Sequence, residues 1–178
     1  MKLKPADIII TTDKSSLFST AILTVLNFFQ KDRVRYQHAI LVVDDKECIE
    51  ARWKVKYSVI EDRLKDFKRY KILRYEGLTE DQGKRIVDKA KSLLGIRYSV
   101  LRITLQLFDQ VFSTNYFTRR IKDPHQQICS SLVAWCYDVE TGIRFNHTNW
   151  SAVEPDDIDD ESLIPNTKFK TILEWEKD

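Results

Sequence analysis

Glycine and proline are scarce in this 178-residue chain, four of each, which argues against disorder and low-complexity tracts. Nor is there a glycine-rich loop to cradle a phosphate. Three cysteines cannot complete a disulfide set. Were Cys129 and Cys136 on one helix, they would lie two turns, roughly 10 Å, apart along its axis, beyond disulfide reach. Reduced thiols and a cytosolic setting are the simplest reading. Neither sign of charge dominates: 29 basic and 27 acidic residues are interspersed, leaving no basic stripe for nucleic acid.

Long apolar runs are also missing. The longest, from Leu17 to Phe29, is broken by Ser19, Thr20, Thr24 and Asn27 and falls short of the ~20 residues of a membrane-spanning helix. The opening Met1 to Asp7 is too polar for a secretory signal, so a cytoplasmic protein, or a viral product released by lysis, is expected. No Cys/His spacing suits zinc. The acidic run Glu154 to Glu161 lacks the alternating ligands and central glycine of an EF-hand loop, and reads as a solvated loop. No cofactor or metal is expected.

What remains is enough for one domain, residues 1–178, with 43% hydrophobic residues to bury. Asp7 to Thr12 reads as a strand buried on both faces. Residues 15–30 have helical spacing, with Leu17, Ala21, Val25 and Phe28 on one stripe. Residues 36–43 and 48–53, separated by the turn-like Asp44 to Glu47, form a hairpin. Val55, Tyr57 and Val59 alternate as a third strand, and Tyr70 to Tyr75 make a fourth.

Thr79-Glu80-Asp81-Gln82 is a capping box, and opens a helix whose apolar face is Ile86, Val87, Ala90, Leu93 and Leu94, with Gly95 as its stop. A helix is expected over 99–112, another from Cys129 to near Gly142, and a last strand at 168–175 with Phe169, Thr171 and Leu173 alternating. There are no internal repeats. The composite is α+β, an antiparallel sheet with helices packed against it.

Cys129 carries the chemistry. It begins the segment Cys129-Ser130-Ser131-Leu132-Val133-Ala134-Trp135, and a helix N-terminus lowers a thiol's pKa because its unpaired N–H groups favour the anion. His38 stands at the start of an apolar strand, and Glu50 follows on the next. Thiol, imidazole and carboxylate are the parts of an activated nucleophile with its base and orienter. Each has a plainer reading: Cys129 and His38 as core residues, Glu50 as an exposed strand residue paired with Arg52 or Lys54. Cys136 reads as core with Leu132 and Val139, and Cys48 as strand packing near Glu50. His125 and His147 flank the Cys129 segment and read as surface residues.

Whether His38 and Glu50 share a face depends on the hairpin loop. An odd loop such as Asp44-Asp45-Lys46 pairs Val43 with Glu47 and Ile40 with Glu50, making His38 and Glu50 diagonal neighbours roughly 7–8 Å apart. An even loop puts them on opposite faces. The residues leave both registers open.

The ordered set of motifs resembles a known group. Pro5-Ala6-Asp7-Ile8, His38 opening an apolar strand, Ile49-Glu50-Ala51, Leu94-Gly95 followed by Tyr98, and Cys129-Ser130-Ser131-Leu132-Val133 are similar to the permuted branch of the NlpC/P60 papain-like superfamily, the YiiX-like group (formerly DUF830). The likeness spans about residues 5 to 160. It implies a circularly permuted papain-like sheet or barrel, with the Cys helix after the sheet. It also implies Cys129 as nucleophile, His38 as base, Glu50 as orienter and Tyr98 as a substrate-binding pocket residue. The implied reaction is hydrolysis of an amide in a peptide or cell-wall-like fragment through an acyl-enzyme.

Two positions depart from the family's pattern. Ala6 replaces a usual glycine, and Ser131 stands where a glutamate is common. Two other readings stay open. One is LRAT-like lipid acyl chemistry, with membrane contact through Phe28 and Phe29; the other is a non-catalytic binding module of the same fold. Neither the substrate nor the oligomeric state is specified.

Overall fold

A computed structural model describes residues 2–13, 35–97, 129–146 and 149–177. The helices expected over 15–30 and 99–112 lie outside these residues, as do Tyr98, His125 and His147.

Six strands form one antiparallel sheet: β1 (Ile8–Asp13), β2 (His38–Val42), β3 (Glu47–Ala51), β4 (Val55–Val59), β5 (Phe67–Tyr75) and β6 (Phe169–Glu176), in the order β4-β3-β2-β1-β5-β6. The sheet is open, with β4 and β6 at its edges, and is not a barrel. Four helices are described: α1 (Ile60–Asp66), α2 (Glu80–Lys91), α3 (Cys129–Thr141) and α4 (Pro155–Leu163).

Alternation along the strands builds two cores. Ile8, Ile10, Ala39, Leu41, Ile49 and Leu73 face Ile86 and Ala90 of α2 and Leu132, Val133 and Cys136 of α3. Ile9, Ile40, Val42, Cys48, Phe67 and Ile72 face the opposite way, with Ile60 and Leu64 of α1 packed against them. β1 is covered on both sides, as an unbroken Ile8-Ile9-Ile10 run requires. Each such side chain contributes about 1.5–3 kcal/mol on burial.

The capping box forms as expected. Gln82 N–H donates to Thr79 Oγ1 at 3.2 Å, and Thr79 N–H donates to Gln82 Oε1 at 2.9 Å. Gly95, at φ +84°, closes the turn after α2.

Several expectations need correction. The second hairpin strand stops at Ala51, because the chain bends at Arg52 and Trp53. α1 was not foreseen: only Ile60 and Leu64, at i and i+4, mark its inward face. The acidic run is a helix rather than a solvated loop. Pro155 opens α4, Glu154 and Asp157 form a capping box, and Ile158 and Asp159 are fully buried. The expected alternation of the last strand breaks at a bulge. Ile72 pairs with Leu173 but Leu73 pairs with Thr171, so Ile172 is the extra residue. Phe169 is consequently buried while Leu173 is 38% exposed. Leu94, in the turn that follows α2, and Val139 of α3 are exposed at 37% and 49%.

Candidate functional site

The hairpin loop is odd. Ile40 pairs with Glu50, Leu41 with Ile49 and Val42 with Cys48, while Val43 N–H donates to Glu47 C=O at 2.9 Å. His38 has the parity of Ile40 and therefore lies on Glu50's side of the sheet. Its Nε2 is 3.1 Å from Glu50 Oε2. Both side chains are buried, Glu50 completely.

Glu50 is not the exposed strand residue of the plainer reading. Ser58 Oγ, from β4, donates to its Oε1 at 2.6 Å. Arg63 Nε, from α1, lies 3.2 Å from the same oxygen. Arg52 Nε is 3.4 Å from Oε2 and Lys56 Nζ 3.7 Å from Oε1. Burial is the largest influence on this carboxyl and works to raise its pKa. The His38 hydrogen bond and charge, the Ser58 hydroxyl and Arg63 overcome it, bringing the pKa down to about 2.

Cys129 arrives from the other side. It is the first residue of α3, which packs on the opposite core, and its thiol meets the sheet where β2 begins. Its Sγ lies 3.9 Å from the Gln37 carbonyl oxygen. Burial pushes the thiol's pKa up, but the His38 charge and hydrogen bond, with the backbone N–H groups of Ala39 and Ser130, bring it below its ordinary value. The imidazole responds in kind. Burial, the largest influence, disfavours its charged form, yet Cys129 and then Glu50 raise His38 to about 9. Thiol and imidazole each favour the charged form of the other.

The start of α3 is held in place. Ser130 Oγ donates to Val153 C=O at 2.6 Å, and Ser131 is fully buried. An ionised glutamate at position 131 would carry its charge into that interior at a cost of several kcal/mol, roughly, which accounts for serine here. The other two thiols differ. Burial pushes Cys48 up to about 12 and raises Cys136 as well, so neither ionises near neutrality.

The structure thus brings together Cys129, His38 and Glu50, and Tyr98 lies outside the described residues. Sequence reading did not find Ser58, Lys56 or Arg63. Ser58 is two residues from Lys56 on the strand beside Glu50, a position that only the β3–β4 pairing reveals. Arg63 belongs to a helix with too few apolar residues to announce itself.

Among the described residues no cluster of three or more His, Cys, Asp or Glu side chains could hold a metal ion, and no helix is long and apolar enough to cross a membrane. No family model and no curated protein matches the chain. Among solved structures, the metalloprotein YiiX from Escherichia coli O157:H7 is similar, with a TM-score of 0.70 over 99% of this chain and 100% of that one, at 18% sequence identity. At that identity the likeness is one of architecture: this chain has a YiiX-like α+β fold.

Proposed function

We propose that this protein is a thiol hydrolase of papain-like, permuted NlpC/P60 design, acting on an amide bond. The observation that carries the reading is the bridging position of His38, hydrogen-bonded to Glu50 through Nε2 and to Cys129 as well. With Nε2 held by Glu50, Nδ1 is the nitrogen that exchanges a proton with sulfur. The Cys129 thiolate attacks the carbonyl carbon, and the oxyanion is held by the Cys129 N–H, which as the first of α3 has no partner within the helix. The imidazolium gives its proton to the departing amine as the C–N bond breaks, leaving a thioester. Imidazole then takes a proton from water, whose oxygen attacks the thioester, and the thiolate leaves with the acid as product.

A metal centre fits these residues less well. YiiX is described as a metalloprotein, but here Glu50, His38 and Cys129 are strung in sequence with His38 in the middle, rather than disposed around a common point.

The test is the pH dependence of iodoacetamide alkylation, resolved by site with mass spectrometry, in wild type and His38→Ala. Cys129 alone should react fast well below the ordinary thiol pKa of about 8.5 and lose that advantage without His38. If it titrates as an ordinary thiol in both proteins, the hydrolase reading fails and a binding module of the same fold takes its place. Cys129→Ala should abolish turnover of any amide substrate while leaving the melting temperature in place.

A further inference from the structure

Three cationic side chains and an imidazole share one buried carboxylate. His38 Nε2 is 3.1 Å from Glu50 Oε2, and Arg63 Nε lies 3.3 Å from the same oxygen and 3.2 Å from Oε1. Arg52, just after β3, and Lys56, paired with Glu50 across β3 and β4, stand at 3.4 and 3.7 Å. The other groups facing this cluster are Ser58, on Oε1, Asp66, which takes Arg63 Nη1 at 2.7 Å, and Cys48, kept neutral by burial.

Arg63 is the innermost of the three cations. Its side chain is 11% exposed, against 35% for Arg52 and 45% for Lys56, so water screens it least. Its guanidinium rests 5.0 Å from the centre of the Phe67 ring. Guanidinium and imidazolium thus converge on Oε2. Like charges on one oxygen repel, and the repulsion disfavours the imidazolium.

We propose that the cations on Glu50, Arg63 foremost, offset its charge and so keep the His38 proton free to leave. This rests on the thiol-hydrolase reading and assigns Arg63 as a positioning residue that acts on His38 through Glu50. In that reading the imidazolium hands its proton to the departing amine, and an acid does so best when its pKa lies near the working pH. Once sulfur has bonded to the carbonyl carbon its charge is gone, so Glu50 and its cations set how tightly the proton is held. A bare carboxylate would orient the ring but grip the proton; with Arg63 beside it, the carboxylate keeps the orientation and loosens the grip.

The imidazole itself reports the effect. In a Cys129→Ala background the coupled thiol is absent, and the His38 ring C–H resonance, assigned by its loss in His38→Ala, is followed with pH by NMR. Arg63→Met should raise the His38 pKa by about one pH unit, whereas Arg63→Lys, which keeps a charge there, should move it much less. Glu50→Gln should lower it. Opposite signs from two touching residues identify charge as the cause: if Arg63 merely braced Glu50, its loss would lower the pKa as Glu50→Gln does. Lys56→Met, at the exposed margin of the cluster, should fold as the parent does and raise the pKa by a few tenths, roughly.

A His38 pKa that falls or stays in place in Arg63→Met overturns the proposal. If that variant does not fold, Lys56→Met decides: a rise supports the proposal, and no change or a fall overturns it. The hydrolase reading fails on a different measurement, the alkylation profile of Cys129 in the wild-type protein, so the two failures are told apart.

Discussion

Ile40 faces Glu50 across β2 and β3, and that single pairing puts Glu50 diagonally beside His38 on one side of the sheet. A slip of one residue would turn the carboxylate into the other core, against α3, and leave the imidazole without its partner.

Glu50 is accordingly the residue whose loss should be felt most widely. Glu50→Ala removes the carboxylate from Arg63, whose side chain is only 11% exposed, and from His38 and Ser58. A loss of about 3–5 kcal/mol is expected from urea unfolding. Glu50→Gln keeps the shape and removes the charge, so His38 should titrate lower and Cys129 higher. Alkylation of Cys129 near pH 6 should slow several-fold; an unaltered pH profile in Glu50→Gln would remove the positioning role.

Stability should be flat across neutral pH and fall on the acid side. His38 is raised from 6.5 to about 9, so its contribution is complete below 6.5 and drains as pH climbs to about 9. Cys129 is lowered from 9.0, so its contribution is complete above 9.0 and drains as pH falls. Wherever the folded pair holds its one proton on the imidazole while the unfolded chain holds one on the thiol, the two slopes cancel. Glu50, lowered from 4.5 to about 2, adds an acid limb on the order of 3 kcal/mol, present above 4.5 and lost as pH drops to about 2. Urea midpoints measured from pH 3 to 10 check this. A slope near 1.4 kcal/mol per pH unit between 7 and 8.5, roughly, would mean that thiol and imidazole are not ionised together.

Ala6 sits at φ +70°, the left-handed region, where the resembling family usually has glycine. A side chain there costs about 1–2 kcal/mol. Against that, Ala6→Gly gives up a buried methyl, about 0.8 kcal/mol, and frees the unfolded chain by about 0.4–1 kcal/mol. The opposing effects nearly balance, so Ala6→Gly should lie within about 1 kcal/mol of wild type. Ala6→Val should lose about 2 kcal/mol or more, since a β-branched residue is poorly suited to positive φ and the site is closed. Thermal unfolding of the two variants decides it.

Lys71 and Asp159 form an ion pair at 2.6 Å, Lys71 being 5% exposed and Asp159 fully buried. Lys71→Met should cost about 3–5 kcal/mol by leaving a buried carboxylate short of its ammonium. Adding Asp159→Leu should recover most of the loss, because a matched apolar pair needs no compensation. Arg35 Nη1, 3.2 Å from Asp159, is the competing support. If Lys71→Met alone costs under about 1 kcal/mol, Arg35 is the partner that holds this aspartate.

Local signals in the sequence were strong where one residue's chemistry suffices. The Thr79–Gln82 capping box, the thiol at the start of α3 and the apolar β1 run follow from propensities within a few neighbours, and they stand where expected. α1 and α4 escaped notice because α1 buries only Ile60, with Leu64 half-buried, and α4 only Ile158 and Asp159, too few to print a helical period. The bulge at Ile172 likewise leaves no mark in an alternating segment.

By itself, then, the order of residues determined that a thiol would start a helix and that an imidazole and a carboxylate would lie on neighbouring strands. Only the tertiary structure decided that these three groups meet. The hairpin register sets which face Glu50 takes, and so whether the carboxylate meets His38. α1 and β4 bring Arg63 and Ser58 onto a carboxylate distant from Arg63 in the chain. Such pairings depend on strand parity and on packing between elements, and parity changes with a single residue of loop, which no local propensity encodes.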